Sequence, residues 1–156
     1  MKIQTTRLKP MPVKGRKQVN QNVKALLAKI TGPVTEQTVT AVLITGQAYA
    51  AAITPRDTSF LVNTQYRRIE KKPGKTIGMS GYGADYALYV NDAPGTLKGK
   101  PRSGVKSFET KNGKTGFASN SGNFWDPHAE PDFLKKGFQR DGLSEIKNLI
   151  RDGYKL

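Results

Sequence analysis

The sequence predicts an α+β fold, and three observations carry that expectation. Apolar residues recur at helical spacing on both sides of "TGPV" near the N-terminus, and again near the C-terminus. Between these regions "FLVNTQYRRIEKK" and "TIGMSGY" are β-type runs joined by "PGK", the pattern of an antiparallel hairpin. The strand–helix–strand alternation that builds a parallel sheet is missing. The length, 156 residues, fits one domain spanning 1–156.

The N-terminal "KIQTTRL" is β-branched and alternating, so it reads as a short strand or an extended arm. "KPMPVKG" is a linker, because two prolines and a glycine prevent regular structure. Residues 1–17 are therefore expected to form a basic arm. Val19, Val23, Leu26, Leu27 and Ile30 then define an amphipathic helix with a basic outer face. Gly32 can end that helix, and Pro33 suits the first position of the next. Over residues 33–53 the stripe Val34, Ala41, Val42, Ala48, Tyr49, Ala52 is helical, while Val39, Leu43 and Ile44 lie off it. A helix apolar on more than one side must be covered on more than one side, which marks a central element or a subunit contact. "TPRDTS" stops it, since Pro55 disfavours a helical Thr54 and Asp57 and Thr58 favour a turn.

The first strand is expected to place Phe60, Val62, Thr64 and Tyr66 on one face, and the second to alternate at Ile77 and Met79. Tyr86, Tyr89 and Val90 fall at i, i+3, i+4, which predicts a short middle helix packed on the sheet through those residues, with Asp85 capping its start. Gly95 then releases the chain into a Gly/Lys/Ser-rich loop over 97–123, extended or folded as an exposed hairpin about Asn112-Gly113. Phe133, Leu134, Phe138, Leu143, Ile146, Leu149 and Ile150 predict a C-terminal helix that Gly137 and Gly142 weaken, with a break near Asp141-Gly142.

Net charge is +14, from 26 Lys and Arg against 12 Asp and Glu. The excess sits in two blocks. Met1 to Thr35 carries Lys2, Arg7, Lys9, Lys14, Arg16, Lys17, Lys24 and Lys29 and no acid. Gly95 to Asn123 carries Lys98, Lys100, Arg102, Lys106, Lys111 and Lys114 with only Glu109 opposed. Such blocks suit a polyanion or an acidic protein partner, with contact that is sequence-independent and salt-sensitive. No zinc finger, RNA-recognition strand or helix-turn-helix is visible. The chain has no cysteine, so no disulfide framework or thiolate metal site is expected. No apolar run approaches the ~20 residues of a spanning helix, and the N-terminus lacks the apolar core of a signal peptide. The expectation is a soluble chain made in the cytosol.

Gly78, Gly81 and Gly83 spell G-x-x-G-x-G, the reverse of the dinucleotide fingerprint, and outside a βαβ unit they read as a strand-to-helix turn that needs positive φ. Asp85, Asp92, Asp126, His128 and Glu130 are the mid-chain candidates for metal or acid–base chemistry. With a single histidine and no paired-carboxylate or Ser–His–Asp arrangement, a hydrolase using Asp85, Asp92 and His128 is the reading least supported. His128, between two prolines, reads as a polar packing or interface residue. No cofactor is expected, and no enzymatic activity.

Three short segments occur in order: "TPRDTSFLVNT" (54–64), "ADYALYVNDAPGT" (84–96) and "AEPDFLKKGF" (129–138). Together they resemble the tail-component family of tailed phages, the tail-completion or head-to-tail joining proteins of long-tailed virions. Members of that family have Pro-x-Asp-Thr-Gly opening a hairpin, Tyr-Ala-x-Tyr-Val ending in Gly-Thr, and Pro-x-Phe-Leu starting the last helix. This chain keeps Pro55, Asp57 and Thr58, with Ser59 where glycine is usual. It keeps Tyr86, Ala87, Tyr89, Val90, Gly95 and Thr96, with Asn91-Asp92 in place of the usual Glu or His. It keeps Pro131, Phe133 and Leu134, with Asp132 intervening. The likeness spans residues 15–153, and 97–123 matches nothing in the pattern.

The resemblance implies a long N-terminal helix packed on a small antiparallel β-sheet, a short middle helix and a C-terminal helix, here with an extended basic loop. It also implies a homo-oligomeric ring, hexameric to match a tail where twelve would match a portal. The ring would sit in the neck of a virion assembled in the host cytoplasm. Its partners would be the tail terminator or tail tube and the head connector or stopper, with no membrane. Leu43, Ile44 and Tyr49 are then expected at the contact between subunits, where a ring buries a second helix face. Lys14, Arg16, Lys17, Lys98, Lys100, Arg102 and Lys106 would reach an adjacent ring or the DNA in the channel. Replacing Tyr89 with alanine would misfold the subunit or leave heads and tails unjoined. The alternative from another class is a stand-alone, sequence-independent nucleic-acid-binding protein.

Overall fold

The computed structural model describes residues 15–109, 111–119 and 121–155. The arm expected over residues 1–14, Lys14 included, lies outside the described residues. The architecture is α+β: a long N-terminal helix, a two-stranded antiparallel sheet and a C-terminal helix.

Helix α1 (Arg16–Lys29) does not end at Gly32. It continues through one π turn, Ile30–Val34, into helix α2 (Thr35–Ile53). The expected break fails for a local reason. Pro33 has no N–H for the carbonyl four residues back, and its ring crowds that carbonyl. A single wide turn accommodates both defects while Lys29 and Thr35 at its two ends stay right-handed helical. The Thr35 hydroxyl donates to the Ile30 carbonyl at 2.6 Å inside this turn. At 1.5 Å per residue the rod from Arg16 to Ile53 is roughly 57 Å long.

α2 is the middle layer. Strands β1 (Gln65–Lys72) and β2 (Lys75–Tyr82) pair in register from Gln65↔Tyr82 to Lys72↔Lys75 and cover one side. Their turn is Pro73-Gly74 with Gly74 at φ 70, the Pro-then-Gly combination of a type II turn. The sheet meets α2 through its polar side. Gln47, 3% exposed, donates to the Tyr66 carbonyl at 2.7 Å and accepts from Arg67 at 3.0 Å. Lys71 pairs with Glu36 at 2.7 Å. A Cβ at Gly78 would lie 2.6 Å from Val39 Cγ1 and 3.1 Å from Leu43 Cδ1, so the missing side chain lets strand and helix touch. Tyr66 and Met79 point away and stay exposed, with Tyr66 lying over Gly81. None of Gly78, Gly81 and Gly83 has positive φ; at Gly78 and Gly81 the missing side chain serves close approach rather than a turn.

The C-terminal segment covers the other side of α2. It comprises helix α5 (Phe133–Lys136), a π turn at Gly137–Asp141 and helix α6 (Leu143–Gly153). A Cβ at Gly137 would lie 2.5 Å from Ala50 N and 2.6 Å from its Cα, and the Phe138 ring fills the space above Gly46. The expected break near Asp141-Gly142 is thus a π turn followed by a new helix, and Ile146 is that helix's buried residue.

One segment differs from expectation in type. Phe60–Asn63 is one helical turn, α3, not the start of a strand. It is closed by bonds from Asn63 N–H to Ser59 O at 3.0 Å and Thr64 N–H to Phe60 O at 3.0 Å. The turn aims Leu61 into the core, and that burial overrides the β preference of "FLV". The loop over 97–123 does form a hairpin, β3 (Ser107–Glu109) with β4 (Thr115–Phe117). Its connection is five residues long with Gly113 at φ 68, not a two-residue Asn-Gly turn. Its base is closed by Arg102 N–H to Asn123 O at 2.7 Å and Trp125 N–H to Lys100 O at 3.0 Å.

Helix α4 (Ala87–Asp92) is the middle helix. Its packing differs from expectation: Ala87 and Val90 face the core, while Tyr86 and Tyr89 are exposed. Asp85 does not cap it; the first bond is Ala87 N–H to Ala84 O at 2.9 Å.

Two predictions follow from the backbone and the charges. Ser59 sits at φ 63, a left-handed conformation that costs an L-residue roughly 1–2 kcal/mol and glycine almost nothing. Ser59→Gly should raise stability by about 0.5–1 kcal/mol in urea denaturation, after allowance for the greater chain entropy of glycine. Glu130 accepts from Arg140 at 2.7 Å and pairs with Lys136 at 3.2 Å. Those hydrogen bonds hold its carboxyl down to about 2 from an ordinary 4.5. A lowered folded-state pKa adds stability above pH 4.5 that is lost as pH falls toward 2. Glu130→Gln should flatten the melting temperature across that window and, the pairs being partly solvated, lower neutral-pH stability by no more than about 1 kcal/mol.

Candidate functional site

The three ordered segments meet at one place. Each contributes one buried side chain to a single apolar cluster: Leu61 from 54–64, Ala84 from 84–96 and Phe133 from 129–138. Phe133 is 1% exposed and stands edge-on to Tyr82 with ring centroids 5.1 Å apart. Buried Thr54 donates to the Ala50 carbonyl at 2.7 Å and bonds the Tyr82 hydroxyl at 2.7 Å. Gly95, at φ 70, lies against the Pro131 ring, where a Cβ would come within 3.0 Å of Cδ. Asp132 N–H donates to the Asn91 carbonyl at 2.8 Å, and Glu130 N–H to the Ile53 carbonyl at 2.9 Å. Leu134 packs on the cluster's edge. Pro131, Phe133, Leu134 and Gly95 are therefore joints of the fold, whereas Thr58 is exposed.

The residues expected at a subunit contact separate. Leu43 is buried beneath the sheet. Tyr49 leans on Gly142 and donates to Glu145 Oε2 at 2.9 Å, a bond that raises the phenol's pKa. Both are occupied inside their own chain, Leu43 by the sheet and Tyr49 by the C-terminal segment. Ile44 alone of the three is exposed, at 48%.

The basic candidates also divide. Arg16 and Lys17 lie at the exposed start of α1, and Lys98, Lys100 and Lys106 are exposed along the basic hairpin. Arg102 is different: its guanidinium pairs with Asp57 at 3.2 Å and lies 4.8 Å from the centre of the Trp125 ring. Its charge fastens the hairpin base to the turn after α2, and Asp57 is the other half of that clamp. Asp126 adds a second clamp, accepting from the N–H groups of Arg56 and His128 at 2.8 Å each. Among the described residues no three His, Asp or Glu side chains are grouped to hold a metal ion. No helix among them is long and apolar enough to cross a membrane.

Besides the outer face of the sheet, two apolar surfaces among the described residues stay uncovered. None of α1's residues is buried, and Val19, Val23, Leu26 and Leu27 are exposed along it. The second surface lies on and beside α4: Leu88 is 72% exposed and Tyr89 80%, and Tyr86 is 6.4 Å from Phe60, ring to ring. The sequence pattern did not single out Leu88, and it placed Phe60 on the face of a strand. A weaker signal was present, since Ala87 and Val90 at i, i+3 allow the opposite phase, which turns Leu88 and Tyr89 outward.

Tyr89→Ala should therefore leave stability within about 0.5 kcal/mol of wild type, contrary to the misfolding expected from the sequence. Phe133→Ala should cost about 3–5 kcal/mol. Chemical denaturation of the two variants side by side checks this.

Comparison with known protein families, with characterised proteins and with solved structures finds no match.

Proposed function

We propose that this chain is a structural subunit of a phage neck, a ring-forming tail-completion or head–tail joining protein that links tail tube to head connector around the DNA channel. The observation that carries the reading is α1. A helix of 14 residues contributes no buried side chain to its own subunit, although it displays an apolar stripe. α1 prolongs α2 beyond the described elements that pack on that helix, so its apolar stripe faces water along its length, and an exposed apolar surface of this kind marks a contact with another chain. The three segments resembling the tail-component family name the kind of assembly. Their convergence on Leu61, Ala84 and Phe133 supports the likeness, because it makes the ordered signature a description of one core.

The basic hairpin favours placement beside DNA. Lys98, Lys100 and Lys106 are exposed, and no ion pair among the described residues neutralises them. A few phosphate contacts on a sliding duplex suit a channel lining. The rival, a stand-alone nucleic-acid-binding protein, draws on the same lysines.

Titration of a short duplex against salt separates the two. The neck subunit should bind weakly at about 150 mM salt, and should form rings when a tail or connector partner is added. Nanomolar binding by the free monomer would favour the rival. Lys98→Gln/Lys100→Gln/Lys106→Gln should impair DNA retention or joining in assembled particles. Particles unchanged in both respects would remove the hairpin from the channel.

A further inference from the structure

We infer that α1 of one copy docks on the aromatic patch around α4 of the next copy, a head-to-tail contact between two different faces of the same chain. The inference rests on the reading of this protein as an assembly subunit, and it names the contact that would build the assembly.

The two faces are complementary in charge. Arg16, Lys17, Lys24 and Lys29 of α1 have no ion pair among the described residues, and α1 carries no acid. The patch is bracketed by Asp85 and Asp92, both exposed and equally without a cationic partner there. In a chain of net charge +14, copies repel over most of their surface. A basic apolar helix meeting an acidic aromatic patch reverses that repulsion locally. Two α1 helices packed on each other would instead oppose four cations to four.

The faces are also complementary in place. The patch sits at the Ile53 end of the rod, because Ile53, Ala87 and Val90 pack on the same cluster. α1 leaves from the other end. Leu26 and Ile53 are 27 residues apart on one continuous helix, roughly 40 Å. α1 cannot fold back onto the patch of its own chain without breaking that helix. A contact between opposite ends is heterologous, and heterologous contacts close into rings when the rotation allows. Phe60, Tyr86, Leu88 and Tyr89 expose roughly 500 Å² between them, over half of one side of a standard interface, and their polar surroundings supply further area.

The test uses two variants of the full chain. Leu26→Gln/Leu27→Gln removes the apolar face of α1 while keeping good helix formers. Leu88→Gln/Tyr89→Gln removes the patch. Far-UV circular dichroism and melting check that both fold, as substitutions at exposed positions should. Light scattering at about 100 μM, where a contact of even modest affinity is populated, should give oligomers for wild type and monomers for each variant alone. An equimolar mixture should give a 1:1 heterodimer and nothing larger, because only one intact helix and one intact patch remain to pair. A mixture that stays monomeric, a patch variant that dimerises by itself, or a monomeric wild type overturns the contact. Rings that persist in the helix variant overturn it too, and leave the neck reading standing. The expected heterodimer from a chain absent from the particle's neck leaves the contact standing and removes the neck reading.

Discussion

The arrangement of this chain depends on how closely the C-terminal segment approaches α2. At Gly137 the two backbones lie so near that a Cβ would come within 2.6 Å of the Ala50 backbone. Nothing there can yield, since the obstructing atoms are main chain rather than the end of a flexible side chain. Phe138 then seats its ring over Gly46, and Gly153 passes Thr38 at the far end. These contacts set the depth at which α5 and α6 lie on α2, and so the level at which Phe133 enters the core. The π turn over 137–141 follows from the same contact, as it lets the chain pass Ala50 and still begin a fresh helix at Leu143.

With that depth set, the segments at the Ile53 end fall into place around Phe133. Tyr82 brings the sheet, Leu61 the helical turn after α2, and Ala84 with Ala87 and Val90 the middle helix. Backbone bonds close the joints: Glu130 to Ile53 and Asp132 to Asn91. The unusual conformations gather here as well. Ser59 and Asp132 hold positive φ, and Gly95 does so against Pro131. Aspartate tolerates that region better than most residues, and serine less well.

The sheet is attached in the opposite manner, through polar groups. Gln47 uses both ends of its side-chain amide to hold β1, while Tyr66 and Met79 face outward. A buried amide is stable only when its bonds are made, so this interface specifies register more than it adds hydrophobic stability. Apolar surface consequently remains on the outer sheet, on α1 and around α4. Exposed apolar surface of this extent is the feature on which the proposed assembly role rests.

The sequence by itself determined the element types wherever a periodic pattern was long. The helical stripes of 16–53 and 133–150, the Pro-Gly hairpin and the two basic blocks were all legible, since each depends on local geometry or on composition. The three-segment signature was legible in its order, though not as a single cluster. Tertiary structure alone decided the phase of the short elements. Phe60–Asn63 and Ala87–Asp92 make only one or two helical turns, too few for periodicity to tell one face from another, so burial of Leu61, Ala87 and Val90 settled them. It also decided that Pro33 widens a helix rather than ending it, and that Arg102 is held by Asp57 and Trp125. Each of these outcomes depends on partners distant in the chain, and one-dimensional spacing carries no record of them.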